Sequence, residues 1–178
     1  MDQTQSTIDG AAEGNHALPA GNHALPCKWA MYYHSPEDKD WSSKSYTKVM
    51  TLSTLEDFCA LQSALPDFCL HYGMFFLMRN GIMPTWEDPK NTNGGCWSYK
   101  VPLSKVSNIW RDMTIQLIIE KLSSVPNLIN GISISPKRGF CVVKIWNRNS
   151  SQNSTSLLHP TIPSLSHADS MYMPFKNK

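Results

Sequence analysis

The chain has 178 residues, 41% of them hydrophobic, and a formal net charge of +2 at pH 7. Its length suits one domain with a buried core, and its near-neutral charge argues against broad electrostatic binding to nucleic acid. The apolar runs are too short to cross a bilayer, and the polar N-terminus is unlike a signal peptide. Five scattered cysteines without a CxxC pair favour reduced thiols in the cytoplasm over disulfides or a metal site.

Two stretches of biased composition flank the predicted elements. The hexapeptide GNHALP occurs twice, at 14–19 and 21–26, in a segment rich in Gly, Ala, Asn and Pro. Two copies are too few for a solenoid, so we expect 1–21 to be a disordered tail and 22–178 a single domain. A second stretch, 147–166, is rich in Ser, Asn and Pro and is predicted to be a long surface loop.

Short strands and two helices are predicted between these stretches. The strands are 28–33, 72–79, 96–101 and a hairpin of 129–135 and 140–146 with its turn at 136–139. A capping-box pattern that begins at Ser53 opens the first helix, which Pro66 ends. Ser107 caps the second helix, which runs to about Leu122. The pattern predicts an α+β fold: an antiparallel sheet with helices packed on one side.

Six tryptophans are the most conspicuous feature of the sequence. Most tryptophans in folded proteins are structural, and Trp29, Trp97 and Trp110 fit that role because each lies on an apolar face of a predicted element. Trp41 and Trp86 lie in polar loops, where an exposed indole does not help folding. Both are therefore candidates for ligand contact; the alternative is that both rings fold back onto the domain.

Glu87 places a carboxylate directly after Trp86. A guanine methylated at N7 is positively charged, and two indoles can hold it by stacking and cation–π attraction. A carboxylate in the plane of the base can accept hydrogen bonds from N1 and from the exocyclic amine. Stacking of about 1–3 kcal/mol per contact and a charged hydrogen bond of about 1.5–3 kcal/mol would support micromolar binding or better.

Several segments resemble the translation initiation factor 4E family, which binds the methylated cap of messenger RNA. The most specific is PTWEDPKN at 84–91 followed by GGCW at 94–97. Shorter matches follow in family order, from about residue 25 to 169: WAM at 29–31, KDW at 39–41, LEDF at 55–58, IW at 109–110, KIW at 144–146 and SHAD at 166–169. The resemblance implies a curved antiparallel β-sheet with helices on its convex back and the cap slot on its concave side.

The resemblance also implies which residues hold the base. Trp41 and Trp86 would stack on it, and Glu87 would pair with its Watson–Crick edge. The backbone amide of Trp86 would donate to O6, and Trp146 would touch the N7 methyl group. No cofactor is implied, since the ligand would be 7-methyl-GTP or capped RNA.

The triphosphate would meet basic residues of the predicted hairpin, for which Lys137, Arg138 and Lys144 are the candidates. The order of the first two stays open, because the turn that holds them differs in length from the family's usual form. A Lys-Arg-Gly turn is also typical of a solvated hairpin tip. Lys176 would close over the second nucleotide.

On its back, the family binds a helical Tyr-x-x-x-x-Leu-φ motif of scaffold and repressor proteins. The corresponding partner-surface residues are His23, Leu25, Pro26, Leu55, Cys59, Trp110 and Arg111. Cys59 replaces the family's first-helix tryptophan and Arg111 a leucine, and a lost indole removes a typical interface anchor. We therefore expect a retained cap slot and a remodelled surface for a scaffold of the initiation factor 4G type or a divergent equivalent.

The stretch 147–166 is shorter than the family norm and lacks a helical period, so we predict that the family's third helix is missing or shortened. The leading hypothesis is a monomeric, cytoplasmic cap-binding factor in translation initiation. A cap-binding repressor or decoy, and a module whose loop tryptophans grip a peptide, are the alternatives. No nucleophile elbow, phosphate loop or HExxH motif is present, so an enzyme is not expected.

Overall fold

The computed structural model describes residues 22–159 and 165–177. In chain order the elements are β1 (Ala24–His34), β2 (Thr47–Thr54), α1 (Leu55–Ala64), β3 (Met74–Arg79), β4 (Gly95–Pro102), α2 (Val106–Ile118), β5 (Ile129–Lys137), β6 (Phe140–Asn147) and β7 (Met171–Pro174). The strands form one curved antiparallel sheet in the order β2-β1-β3-β5-β6-β4-β7. The predicted fold class is confirmed. The tail predicted for 1–21 lies outside the described residues.

The convex face of the sheet carries the main core. In β6, Cys141, Val143 and Ile145 point to this side, as their alternation in the sequence predicts. The helices close the core from outside: α1 buries Phe58 and Leu61, and α2 buries a longer stripe that includes Trp110. Trp29, Trp97 and Trp110 are all at most 1% exposed, so their predicted structural role is confirmed.

The concave face is built by the alternate residues of the same strands. One row of paired residues crosses it from β1 to β7: Tyr32, Phe76, Ser133, Lys144, Ser98 and Met171. A smaller apolar cluster with Phe76, Trp146 and Phe175 lies on this face. The face therefore has an aromatic floor with Lys144 at its centre.

The helix ends differ from the predicted ones. Thr54, not Ser53, is the N-cap of α1: the Asp57 N–H donates to Thr54 Oγ1 at 3.1 Å, and the Thr54 N–H donates to the Asp57 carboxylate at 3.0 Å. Helix α2 begins at Val106, so Ser107 lies inside its first turn, and no side chain caps it. It ends at Ile118 rather than near Leu122 because Glu120 adopts a left-handed φ of 58°, which the sequence does not signal with a glycine.

Strands β2 and β7 were not predicted from the sequence. β2 has mostly exposed or half-buried side chains without a period of two, and the four residues of β7 are too few to establish one. Within 147–159 and 165–166, the helical segment is one 3-10 turn, Thr155–Leu157, in agreement with the predicted loss of the third helix. In the described ranges, no helix is long and apolar enough to cross a membrane.

Candidate functional site

A slot of about 410 Å³ opens on the concave face of the sheet. Six of the eight residues predicted to bind the cap line it together: Trp41, Trp86, Glu87, Trp146, Lys137 and Lys144. Its walls come from the loop after β1 and the loop after β3, and its floor comes from β3, β5 and β6. Side chains far apart in the sequence therefore meet around one cavity.

Trp41 stands on the loop between β1 and β2 and is 51% exposed. The loop is shaped by local hydrogen bonds, in which Asp40 accepts from the Ser42 N–H at 2.8 Å and from the Ser42 hydroxyl at 2.9 Å. These two bonds lower the pKa of the Asp40 carboxyl, with a smaller contribution from the charge of Lys44. The indole stacks on His34, with ring centroids 4.3 Å apart and an interplanar angle of 7°. Trp41 is thus oriented before any ligand arrives.

Trp86 stands on the loop between β3 and β4 and is 43% exposed. Buried Asn91 holds this loop from within, because its amide donates to the carbonyls of Met83 at 2.9 Å and Thr85 at 2.8 Å. Asn130 of β5 in turn donates to the Asn91 side-chain oxygen at 2.9 Å. The loop that carries Trp86 and Glu87 is therefore fastened to the sheet.

Trp146 forms part of the slot floor. It is 7% exposed, and its Nε1–H donates to Ser133 Oγ at 2.9 Å. Phe76 meets it edge-on at 6.4 Å between centroids, and Phe175 packs on it at 5.0 Å. These contacts fix the ring, so its remaining exposed edge faces the slot in one orientation.

Charge is divided between two parts of the slot lining. Glu87 lies on the Trp86 loop, whereas Lys137 and Lys144 lie on the β5–β6 hairpin. Tyr46 also lines the slot: burial raises its pKa to about 12, and the negative charge of Glu87 is the second cause. The slot therefore suits a ligand with positive charge near the indoles and negative charge near the lysines.

The structure distinguishes the basic candidates. Lys137 ends β5 and pairs with Phe140, so the turn contains Arg138 and Gly139 rather than the four residues predicted. Lys137 lines the slot and Arg138 does not. Lys176 is exposed in a one-turn 3-10 helix and also lies outside the slot lining. It follows Phe175, which packs against Trp146.

The predicted partner surface begins at the N-terminal end of β1. His23 Nδ1 lies 2.6 Å from the Glu56 carboxylate, and the His23 backbone N–H donates to the same group at 3.0 Å. The His23 side chain lowers the pKa of Glu56 to about 2. Leu25 packs partly on the core, and Pro26 is exposed. The hydrogen bonds between His23 and Glu56 join the start of β1 to α1.

Trp110 is a correction to the predicted partner surface. It is 1% exposed within the convex core and cannot touch a partner directly. Leu55 and Cys59 of α1 are exposed, and so is Arg111 of α2, whose Nη2 donates to Asn108 at 2.7 Å. Ile115 of α2 and Ile119 at its C-cap are also exposed and follow Arg111 at spacings of four residues, which places them on the same side of the helix. The sequence interpretation missed both isoleucines.

The sequence interpretation also missed His34, Tyr46, Asn91 and Asn130. Tyr46 and His34 belong to segments without a clear pattern, so nothing local marks them as neighbours of Trp41. Asn91 lies in the specific segment 84–91 but was not given a role. An Asn between turn residues is a sign of a loop that is closed by side-chain hydrogen bonds, and this sign could have identified it.

A protein-family model and several known proteins match this chain. A family model described as eukaryotic initiation factor 4E matches residues 24–176. Eukaryotic translation initiation factor 4E of Eremothecium gossypii is 30% identical over 133 residues, which are 70% of this chain and 62% of that protein. Eukaryotic translation initiation factor NCBP of Triticum aestivum is 28% identical over 144 residues, 78% of this chain and 62% of that protein. The chain thus spans about three-fifths of the length of these relatives.

Solved structures agree with the fold. An Ascaris suum eIF4E-3 in complex with an m7G cap has a TM-score of 0.68 and 27% identity, covering 74% of this chain and 77% of that one. Caenorhabditis elegans eIF4E-3 with the 4E-binding protein Mextli and a cap analog has a TM-score of 0.78 over 88% of this chain and 95% of that one. Its identity of 20% makes that likeness one of fold alone. With a family model matched over residues 24–176, the chain belongs to the eukaryotic initiation factor 4E family.

Proposed function

We propose that the chain binds the 7-methylguanosine cap of messenger RNA in the concave slot and acts in translation initiation in the cytoplasm, as a binding protein and not an enzyme. The observation that carries the proposal is the meeting of two half-exposed loop tryptophans, a carboxylate beside one of them, and two lysines in one slot of about 410 Å³. The cap has matching parts: a cationic flat base and an anionic triphosphate.

Each part of the base has a partner in this proposal. The indoles of Trp41 and Trp86 stack on the methylated base, where its positive charge adds cation–π attraction. Glu87 accepts hydrogen bonds from N1 and the exocyclic amine, and the backbone N–H of Trp86 donates to O6. The exposed edge of Trp146 meets the N7 methyl group. An unmethylated guanine lacks the charge and the methyl group and therefore binds more weakly.

The direct test is calorimetric titration of the purified protein with 7-methyl-GTP and with GTP. We expect GTP to bind at least about tenfold more weakly, a difference of about 1.4 kcal/mol. Equal affinities would replace the proposal with generic nucleotide stacking. A folded protein that binds neither ligand would favour a peptide-binding role for the loop tryptophans.

Lys144 provides a prediction about the phosphates. Its side chain projects from the centre of the concave face into the slot lining, next to Ser133 and Ser98 in the strand register. We expect Lys144→Gln to lower the affinity for 7-methyl-GTP about five- to tenfold, because a charged contact is lost. The affinity for the 7-methylguanosine nucleoside, which has no phosphate, should stay within about twofold. Titration of both ligands checks this.

Arg138→Gln is the matched control, because it removes one positive charge from the same hairpin at the exposed turn outside the slot lining. We expect it to change the affinity for 7-methyl-GTP by less than about twofold at physiological ionic strength, since exposed charges are screened. Equal losses in the two variants would mean that net charge, not a contact at Lys144, governs phosphate binding.

The convex surface favours a second candidate role, a cap-binding repressor or decoy. The family relatives include a schistosome eIF4E solved with m7GpppG and 4E-BP, at 26% identity. Here Leu55 and Cys59 are exposed on α1, the positively charged Arg111 and Ile115 are exposed on α2, and Ile119 is exposed at the C-cap of α2. We propose that this surface binds the helical segment of a scaffold of the initiation factor 4G type only weakly, or binds a divergent equivalent.

The double variant Cys59→Trp with Arg111→Leu tests this proposal. We expect it to bind a Tyr-x-x-x-x-Leu-φ scaffold peptide at least about tenfold more tightly than the unmodified chain, because a buried indole is a typical interface anchor. Fluorescence anisotropy with a labelled peptide measures the change. Tight peptide binding by the unmodified chain would rule out the decoy role.

A further inference from the structure

His34 lies directly against Trp41 at the end of β1. Its side chain is fully buried, and the two rings are parallel to within 7° at a centroid distance of 4.3 Å. The Tyr46 ring packs against the same imidazole, with ring centroids 4.8 Å apart. One face of the Trp41 indole is therefore covered by the imidazole, and a ligand can stack only on the other face.

The hydrogen bonds of His34 define its tautomer. Nε2 lies 2.8 Å from the carbonyl oxygen of Asp40, and a carbonyl only accepts, so Nε2 carries the hydrogen. Nδ1 is buried and has no hydrogen-bond partner within 22–159 and 165–177. An unprotonated Nδ1 leaves only a lone pair there, whereas a protonated one would be a buried donor without an acceptor. The surroundings fit the neutral ring.

We propose that His34 is a positioning residue for Trp41, an inference that rests on the proposed function. The neutral form of His34 holds the indole, and cap binding is therefore coupled to the charge of the imidazole. Two separate contacts perform the positioning. The Nε2–H fixes the backbone of Asp40, the residue before Trp41, and the ring supports the inner face of the indole.

Coupling arises because the ligand is itself a cation. A 7-methylguanine on the open face of Trp41 draws on the same π electrons as an imidazolium on the covered face would. Two like charges on opposite sides of one indole repel each other. Protonation of His34 therefore weakens cap binding, and by linkage cap binding disfavours protonation.

The other charged groups around His34 come from several elements. Asp40 and Lys44 follow on the same loop, and the Asp40 carboxylate attracts a positive imidazole. Tyr46 is neutral at physiological pH, since burial raises its pKa to about 12; the charge of Glu87 also raises it. Across the sheet, His34 pairs with uncharged Met74 of β3.

Two variants separate the two contacts. His34→Phe keeps an aromatic ring behind Trp41 but cannot take up a proton, and His34→Gln keeps a hydrogen-bond donor but loses the ring. Calorimetric titration of the full chain with 7-methyl-GTP at about pH 8 and about pH 6 spans the range in which histidines change charge. The ligand's own titration is identical for all proteins, so differences between their pH profiles report on His34.

When the pH is lowered from about 8 to about 6, we expect the affinity of the unmodified chain for 7-methyl-GTP to fall by a factor at least about threefold larger than the factor for His34→Phe. At about pH 8, we expect His34→Gln to bind about three- to tenfold more weakly than the unmodified chain, because the indole has lost its stacked partner. Near-ultraviolet circular dichroism checks that both variants are folded.

Parallel pH profiles for the unmodified chain and His34→Phe would overturn the coupling, and an unweakened His34→Gln would overturn the positioning role. Both results leave the proposed function intact, because 7-methyl-GTP still binds. If the unmodified chain does not bind 7-methyl-GTP at either pH, the proposed function fails and this inference with it.

Discussion

Trp86→Ala and Trp41→Ala are each expected to lower the affinity for 7-methyl-GTP by a factor of about 10–100 or more. Stacking of a base on an aromatic side chain contributes about 1–3 kcal/mol, and the positive charge of the methylated base adds a cation–π term. Both indoles are about half exposed, at 43% and 51%, so their removal opens no cavity in the core. Calorimetric titration with 7-methyl-GTP measures the loss.

Tyr72→Ala is the matched control for the two tryptophan variants. Tyr72 is an aromatic residue with 74% exposure that does not line the slot. We expect this variant to bind 7-methyl-GTP within about twofold of the unmodified chain, because stacking acts only on direct contact. If all three variants bind alike, the two loop tryptophans do not form a sandwich around the base, and the proposed function must be abandoned.

Asn91→Ala is expected to destabilise the fold by about 2–4 kcal/mol and to weaken cap binding in the protein that remains folded. Asn91 is fully buried, and its amide bonds the Met83 and Thr85 carbonyls while its oxygen accepts from Asn130. Removing it leaves the Met83 and Thr85 carbonyls without this donor, at about 1–3 kcal/mol for each group left unsatisfied. Asn130 keeps its hydrogen bond to the Lys90 carbonyl at 2.7 Å. Urea unfolding measures the stability, and titration with 7-methyl-GTP measures the binding.

Asn93→Ala, two residues along the same loop, is the control for Asn91→Ala. The Asn93 side chain is exposed, and we expect its removal to change the free energy of unfolding by less than about 0.5 kcal/mol. A fall in stability for Asn91→Ala without a loss of affinity would mean that Trp86 is held by other contacts. The proposed clamp on the Trp86 loop would then be wrong.

Local patterns in the sequence predicted those parts of the fold that depend on neighbours along the chain. The alternation in 140–146 gave β6 and its two faces, and the polar surroundings of Trp41 and Trp86 separated them from the three core tryptophans. Thr54 and Ser53 are both hydroxyl residues with an acidic residue three positions on, so the pattern could not choose between them.

What the sequence did not reveal depends on pairing between distant segments. β7 is recognisable as a strand only through its pairing with β4, and Lys137 differs from Arg138 only through the hairpin register. His34 acquires its role because the chain returns to place Trp41 on it, and Asn91 acquires its role from Asn130, far along the chain. Such contacts follow from the tertiary fold and have no local signature.

The construction of the slot from distant segments also affects how the domain unfolds. Its walls belong to the loops after β1 and β3, and its floor belongs to β3, β5 and β6, so separation of any of these strands dismantles the slot. A ligand held there binds the native state and not the unfolded chain. Ligand at 100 times its Kd would therefore raise the free energy of unfolding by about 2.7 kcal/mol. By this mass-action effect, an occupied slot protects the whole sheet against heat, denaturant and proteolysis.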